Sequence, residues 1–298
     1  MSTVPGMYRW TDCGYRARWR LQVHYAGGTY RLLDPDGRVA RRGSENDCRE
    51  ELRQITRRLG LQRSSGRLIV LVHGLARNAW SMGSIARFLQ KACPADDVVL
   101  YQYASTAGSV DGHARRFIQF MDFATEAEEV HFVAHSLGNI VLRRAYRLAQ
   151  EQQWTMPRIR KHVMLGPPNQ GAQIARRLVN FIPVCWFTGA PFMELGRDWS
   201  TFSSALAVPP CTFGIIAGRV AWLDRFHPFI SDPNDAFVRV EETHLDGAAD
   251  FLEVAVPHNW LMNSPQVHRA TYQFLKSGRF CDEQAAQRLS ATARLQAG

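Results

Sequence analysis

The stretch VHFVAHSLGNIVLRR, residues 130–144, places a serine where a serine can act as a nucleophile. Its apolar start is typical of a buried strand, and the apolar residues after Gly138 recur at a helical spacing. Ser136 is therefore predicted to lie at a strand-to-helix turn. In an α/β sheet such turns stand at the carboxyl ends of strands, where ligands bind, and Gly138 lets the helix begin close to the strand.

Acidic residues and a histidine follow two later apolar segments that are also predicted to be strands. Asp224, Asp232 and Asp235 come after the segment CTFGIIAG, and His258 comes just after FLEVAV. A serine hydroxyl is a poor nucleophile near neutral pH, so it needs a base to take its proton and a carboxylate to orient that base. Nucleophile, acid and histidine, in this order, form one of the known arrangements of a catalytic triad.

The elements that must position these residues alternate between strands and helices from Leu68 onward, which predicts a parallel sheet with crossover helices. The predicted strands lie at 68–72, 97–103, 130–134, 162–166, 211–218 and 251–256, and the predicted helices at 82–91, 111–124, from Ser136 to about 152, and from Pro265 to about 276. The apolar, irregular segment 172–208 interrupts this alternation. Its position between two strands fits a cap over the site and equally fits additional core.

The front of the chain has a different pattern. RWRLQVHY, TYRLLD and RVARR are predicted strands separated by glycine-containing turns, and Ser44 with Asp47 is typical of a helix N-terminus. The predicted organisation is a small β-β-β-α module over residues 1–62, a main domain over 63–280 and a polar tail over 281–298. Because every candidate reactive residue lies in the main domain, the module is expected to be dispensable for cleaving a small substrate.

Composition limits the class of protein. The chain has 298 residues, 46% of them hydrophobic, which is enough for a large core, and no run approaches the roughly 18 apolar residues of a membrane span. The N-terminus lacks the apolar region of a secretory signal, so a cytoplasmic location is expected. Six scattered cysteines with no C-x-x-C pair predict neither a zinc site nor a disulfide framework.

Positive charge is concentrated at the front of the chain. Residues 1–67 hold 14 arginines and seven carboxylates, so this segment has a net charge of +7, and the whole chain has a formal net charge of +9. Such a segment can meet anionic lipid or nucleic acid. No recognition motif with interleaved aromatic residues is present, and nucleic acid is not expected as a partner. A solvated basic face and peripheral contact with an anionic membrane both remain open.

Five segments at predicted strand ends carry a resemblance to a known family. They are His73-Gly74-Leu75, Ala134-His135-Ser136-Leu137-Gly138, Gly166-Pro167-Pro168-Asn169-Gln170-Gly171, Asn234-Asp235-Ala236-Phe237-Val238 and Val256-Pro257-His258-Asn259. In this order they resemble the bacterial lipase and esterase branch of the α/β-hydrolase superfamily, which includes the triacylglycerol lipases, over residues 68–279. Ala134 and Ala236 stand where that family usually has glycine.

The resemblance implies an α/β-hydrolase fold, a mostly parallel sheet with helices on both faces. It also implies a serine hydrolase that cleaves carboxylic esters of acyl or lipid type through an acyl-enzyme on Ser136. His258 would be the base, Asp235 its acid partner, and the backbone N–H groups of Leu75 and Leu137 the oxyanion donors. No metal or organic cofactor is expected. Acyl transfer by the same triad, and a non-catalytic binding module for membrane or nucleic acid on this scaffold, are the alternatives.

Overall fold

The computed structural model describes residues 9–62, 66–124, 126–154, 157–171, 199–221 and 232–281. The segment 172–198, which holds most of the predicted cap, and the tail from 282 onward lie outside the described residues. Among the described helices, none is long and apolar enough to cross a membrane.

The front module is a four-stranded antiparallel sheet followed by one helix. Its strands, in spatial order, are β1 (Trp10–Arg16), β2 (Trp19–His24), β3 (Tyr30–Leu33) and β4 (Val39–Gly43), and its helix is α1 (Glu45–Leu59). The three predicted strands and the helix are confirmed. Ser44 and Asp47 form the predicted N-cap as a reciprocal capping box.

The prediction of three strands was one strand short, because β1 was missed. Its sequence, WTDCGYR, contains aspartate and glycine, two residues that are depleted in strands, and it bulges between Asp12 and Gly14. Asp12 is nevertheless buried, because hydrogen bonds satisfy its carboxylate in the folded chain. Those partners are distant in sequence, so local propensity did not indicate the strand.

The main domain contains a six-stranded sheet in which every pair of neighbours is parallel, in the order β10-β9-β8-β7-β5-β6. The strands are β5 (Arg67–Val72), β6 (Asp97–Tyr101), β7 (Glu129–His135), β8 (Ile159–Leu165), β9 (Thr212–Gly218) and β10 (Asp250–Val254). All six predicted strands are confirmed. The carboxyl ends of these strands share one edge of the sheet, where the candidate residues lie.

Helices cover both faces of this sheet, as predicted. They are α2 (Gly83–Ala92), α3 (Val110–Met121), α4 (Leu137–Glu151) and α5 (Pro265–Ser277). Alternate residues of β5 enter different cores: Leu68, Val70 and Val72 pack with α3 and α4, whereas Ile69 and Leu71 pack with α2 and α5. A strand buried on both faces reads as a continuous apolar run, as LIVLV does.

The front module contacts the main domain directly. Tyr15 of β1 lies against Phe120 and Phe123, at the end of α3 and just beyond it, with ring centroids 6.4 and 4.9 Å away. The backbone N–H of Asp12 donates to the carbonyl of Gln102, directly after β6, at 2.8 Å. The front module and the main domain are therefore joined by aromatic contacts and by a backbone hydrogen bond.

Candidate active site

Ser136 lies in a sharp turn between β7 and α4, as predicted. Its backbone has φ 50° and ψ −123°, a conformation that costs a non-glycine residue on the order of 1–3 kcal/mol. Gly138 makes the turn possible, because a Cβ atom there would lie 2.7 Å from the carbonyl oxygen of His73 and 2.9 Å from that of Val72. The turn therefore presents the serine at the carboxyl edge of the sheet with α4 packed tightly behind it.

The three predicted reactive residues form one hydrogen-bonded chain. His258 Nε2 lies 2.9 Å from Ser136 Oγ, and His258 Nδ1 lies 2.7 Å from Asp235 Oδ2. The imidazole and the carboxylate are buried. A neutral His258 that donates from Nδ1 to the carboxylate accepts the serine proton at Nε2, which is the tautomer a general base requires.

The loop after β9 fixes the position of the Asp235 carboxylate. Its Oδ1 atom accepts hydrogen bonds from the backbone N–H groups of Phe237 at 3.0 Å and Val238 at 2.8 Å, which leaves Oδ2 for the histidine. Gly218 admits this loop, because a Cβ atom there would lie 2.8 Å from Asp235 Cβ. The carboxylate is thus immobilised on its imidazole partner before any substrate binds.

The other two candidate acids do not join this chain in the described structure. Asp232 forms an ion pair with Arg239 at 2.6 Å, and its side chain is 47% exposed. Asp224 lies outside the described residues. Of the described candidates, Asp235 alone lies within hydrogen-bonding distance of His258.

Ala236 adopts the left-handed backbone conformation that the family's usual glycine accommodates without strain. Its φ is 92°, and its N–H donates to the side-chain oxygen of Asn234 at 2.9 Å. An L-residue with a Cβ atom pays of order 1–2 kcal/mol in this region of φ. Ala236 therefore introduces backbone strain next to Asp235. Asp235 nevertheless stays within hydrogen-bonding distance of His258.

Ala236→Gly is expected to stabilise the protein, because glycine adopts positive φ without steric cost. The greater flexibility of glycine in the unfolded chain offsets part of this gain, so the net increase in unfolding free energy should be about 0.5–1 kcal/mol. Urea unfolding of both proteins measures the change. An Ala236→Gly protein less stable than the native one would show that the loop is not strained.

The predicted oxyanion donors adjoin the serine. Leu137 is the first residue of α4, and the first N–H groups of a helix have no acceptor within the helix. Within the described part of the chain, the N–H groups of Leu75 and Leu137 pair with no acceptor. Gly74 packs directly on the turn, where a Cβ atom would lie 3.0 Å from Ser136 Cβ. Leu137 therefore offers an N–H without an acceptor directly after the serine, and Gly74 brings the residue before Leu75 against the serine turn.

Two further buried histidines, His73 and His135, lie beside the serine turn. His135 is buried, its Nε2 lies 3.1 Å from the carbonyl oxygen of His258, and burial, followed by the nearby His258, holds its pKa well below the usual value. Burial lowers the pKa of His73 to about 3. Both rings are therefore neutral in the folded protein at any pH at which a histidine base works.

The ratio kcat/KM for a neutral ester is expected to fall as pH decreases from 8 to 5, because a general base works only in its deprotonated form. One proton should account for the fall, because His73 and His135 stay neutral. These two histidines gain protons on unfolding below about pH 6.5, so the protein also loses stability in acid. Circular dichroism over the same range serves as the control. A flat profile, or a two-proton slope in a folded protein, would contradict the assignment.

The residues behind the turn were not singled out from the sequence. Asn139 Nδ2 donates to the carbonyl oxygens of Ala134 and Ser136, both at 3.1 Å, and its Oδ1 pairs with His162 Nε2 at 3.1 Å. Asn139 and His162 are buried, so they support the turn from the side of the core. The sequence offers one indication of this role. Asn139 is a weak helix former, and it stands in the first turn of a predicted helix.

Among the described residues, no group of three histidine, cysteine or acidic side chains is arranged to hold a metal ion. The reactive groups of the site are a serine, a histidine and a carboxylate in hydrogen-bond contact, and the first backbone N–H of α4 directly follows the serine. Such an arrangement suits acyl transfer through a covalent intermediate.

Comparison with known proteins identifies the family. A family model described as the alpha/beta hydrolase family matches residues 69–296. A search of curated proteins finds no match. Among solved structures, the product of gene lin2722 from Listeria innocua is 18% identical and has a TM-score of 0.50, with 71% of this chain and 94% of that chain covered.

Two further solved structures share the fold. The mature lipase BlEst2 from Bacillus licheniformis is 15% identical with a TM-score of 0.53, over 71% of this chain and 91% of that one. A metagenomic carboxyl esterase is 15% identical with a TM-score of 0.50, over 65% of each chain. At these sequence identities, the similarity to solved structures shows the fold alone. The family model covers well over half of the sequence, including all three residues of the hydrogen-bonded chain, and the protein therefore belongs to the alpha/beta hydrolase family.

Proposed function

We propose that the protein is a serine hydrolase that cleaves carboxylic esters, chiefly acyl or lipid esters, through an acyl-enzyme on Ser136. The observation that carries the proposal is the continuous hydrogen-bonded chain from Ser136 through His258 to Asp235. The three residues come from the ends of different strands or from the loops that follow them, and the folded chain brings them together across 122 residues of sequence.

In the proposed first step, Ser136 Oγ attacks the ester carbon while its proton passes to His258 Nε2. The tetrahedral intermediate places its negative oxygen near the N–H groups of Leu75 and Leu137, each worth roughly 3 kcal/mol by analogy with measured oxyanion-hole losses. It collapses as His258 returns the proton to the departing alcohol. Water then attacks the acyl-enzyme with the same proton transfers, which releases the acid and restores the serine.

Exposed aromatic residues around the triad support an apolar substrate. Trp260, two residues after His258, is 63% exposed, and Trp80, in a turn that contacts the turn bearing Trp260, is 72% exposed. The Phe237 ring lies 5.5 Å from the ring of His258 and is 43% exposed. Large exposed apolar side chains in the turns and the loop next to His258 favour apolar ligands over small charged esters.

A series of p-nitrophenyl esters, from acetate to palmitate, tests the proposal. We expect hydrolysis throughout the soluble part of the series, with kcat/KM increasing with acyl length. Adding an alcohol and analysing the products distinguishes hydrolysis, which gives the free acid, from acyl transfer, which gives a new ester. No turnover of any member by a folded protein would contradict the proposed activity.

We further propose a cytoplasmic protein whose front module contacts anionic membranes peripherally. The described cysteines are free, which fits a reducing compartment. The edge strand β4 exposes one apolar side chain, Val39, and two cationic side chains, Arg41 and Arg42, whose charge can attract an anionic membrane. Binding to vesicles containing phosphatidylglycerol, weakened by salt and by Arg41→Ser with Arg42→Ser, would support this contact. Equal binding by the variant would exclude this surface.

A further inference from the structure

We infer that strand β1 of the front module positions the proposed oxyanion donor Leu75, with Gln102 as the positioning residue that connects them. The inference rests on the proposed function. It concerns the oxyanion loop, defined as residues 73–79, which begins after β5 and carries Leu75. The loop is tied at both of its ends to the segment 102–104, directly after β6, and that segment is tied in turn to β1.

The first part of the connection joins β1 to the segment 102–104. The N–H of Asp12 donates to the carbonyl of Gln102 at 2.8 Å, and the N–H of Gln102 donates to the Asp12 carboxylate at 2.9 Å. The N–H of Ala104 donates to Thr11 Oγ1 at 3.1 Å. Three bonds thus fix this short segment against a strand that lies about 90 residues away in sequence.

The second part joins the segment to the far end of the oxyanion loop. The side-chain oxygen of Gln102 accepts from the N–H of Ala79 at 2.8 Å. Its side-chain nitrogen donates to the carbonyl of Tyr103 at 3.0 Å and, at 3.5 Å, to that of Trp10 in β1. One buried amide therefore contacts the loop and the front module at the same time.

The third part joins the segment to the near end of the loop. The Tyr103 ring stacks on His73 with ring centroids 4.3 Å apart, and the Tyr103 hydroxyl donates to the His73 carbonyl at 2.9 Å. The Tyr103 N–H donates to His73 Nε2 at 3.3 Å, and His73 Nδ1 faces the Gly74 carbonyl at 2.9 Å. His73, which precedes Gly74 and Leu75, is therefore fixed through both its backbone carbonyl and its ring.

Burying the carboxylate of Asp12 costs free energy, and a strand with a purely structural role does not need such a residue. Its carboxylate is fully buried, and burial raises its pKa although Arg20 lies at 3.2 Å and opposes the shift. Gln22 donates to the other oxygen at 2.7 Å. Buried charge is tolerated where its hydrogen bonds fix one geometry, and here the fixed geometry includes the Gln102 backbone.

Position matters because an oxyanion donor acts only at the correct distance. A donor must lie about 2.7–3.1 Å from the oxyanion, and a misplacement of 1 Å costs on the order of 100-fold in rate. Loss of the Gln102 amide removes the acceptor of the Ala79 N–H and breaks the link to Trp10. The oxyanion loop should then shift by a fraction of 1 Å. The ground-state ester places little charge on its oxygen, so kcat should fall while KM changes little.

The test compares two variants with a matched control. Gln102→Met keeps the shape of the side chain but removes its amide, and the milder Thr11→Val removes only one acceptor. Val23→Ala is the control, since Val23 is buried in the core of the front module and forms none of these contacts. Active-site titration with a fluorophosphonate counts functional sites, so that kcat refers to folded enzyme.

We expect Gln102→Met to lower kcat per titrated site by about 10- to 100-fold with KM within threefold, and Thr11→Val to lower it by a smaller factor. The affinity for a trifluoromethyl ketone that forms a tetrahedral adduct with Ser136 should fall in parallel. Val23→Ala should lower the melting temperature and leave kcat per site unchanged.

Normal kcat per site in both Gln102→Met and Thr11→Val, or losses equal to that of Val23→Ala, would overturn the inference. If Gln102→Met gives too few titratable sites, Thr11→Val decides alone. Failure of the proposed function is a different result, since the native protein itself would then neither titrate nor turn over esters.

Discussion

Ser136→Ala is expected to fold like the native chain and to lose ester hydrolysis by about 10⁴- to 10⁶-fold in kcat, as removal of the nucleophile does when a triad acts as a unit. The substitution removes the hydroxyl that lies 2.9 Å from His258. Alanine has the same Cβ atom as serine, so the backbone strain of the turn does not increase, and the unfolding free energy should change by less than about 1 kcal/mol.

Burst-phase and steady-state turnover of a p-nitrophenyl ester measure this loss, with thermal unfolding as the test of folding. Because contamination by a host esterase limits such measurements, Asn263→Ala, an exposed site in the turn that carries His258, is purified in parallel as a matched control. Turnover of Ser136→Ala within tenfold of the native rate would show that Ser136 is not the nucleophile.

Asp235→Asn is expected to lower kcat by about 10²- to 10⁴-fold with little loss of fold. The amide has nearly the shape of the carboxylate, but it offers a single oxygen where the carboxylate serves His258 with one oxygen and the N–H groups of Phe237 and Val238 with the other. An amide nitrogen facing the imidazole favours the tautomer with its proton on Nε2. That tautomer cannot accept the proton of Ser136.

Asp232→Asn is the matched control, three residues upstream in the same loop. It removes a partly exposed ion pair with Arg239, which is worth about 0–1 kcal/mol of stability, and it should leave kcat within about threefold of native. The pair of variants is compared by kcat and by urea unfolding. Loss of turnover in a well-folded Asp232→Asn protein with an active Asp235→Asn protein would move the acid to position 232.

Much of the fold could be predicted from the sequence because local pattern and tertiary role agree there. LIVLV and VHFVAH read as apolar runs since the sheet buries their strands on both faces, and helices such as α4 carry one apolar side toward that sheet. The site could be predicted for a related reason. A nucleophile turn needs glycine where α4 approaches β5, and Gly138 is visible in the sequence before the approach is known.

Features that depend on distant partners could not be predicted. β1 contains Asp12, which local propensity disfavours in a strand, and its stability comes from Gln22 and from Gln102, 90 residues away. The choice among three aspartates rested on the apolar segment that follows Asp235 and on family resemblance, because the Arg239 partner of Asp232 becomes apparent only in three dimensions. The close attachment of the front module was missed for the same reason.

Labelling of the native protein with a fluorophosphonate, followed by peptide mass spectrometry, tests the central claim most directly. A fluorophosphonate reacts with a serine only when a base and an oxyanion site activate it, so labelling reports the assembled triad without any assumption about the natural ester. We predict one label per chain, on Ser136, and none after Ser136→Ala or on the unfolded protein. An unlabelled native protein, or a label on another residue, would contradict the account.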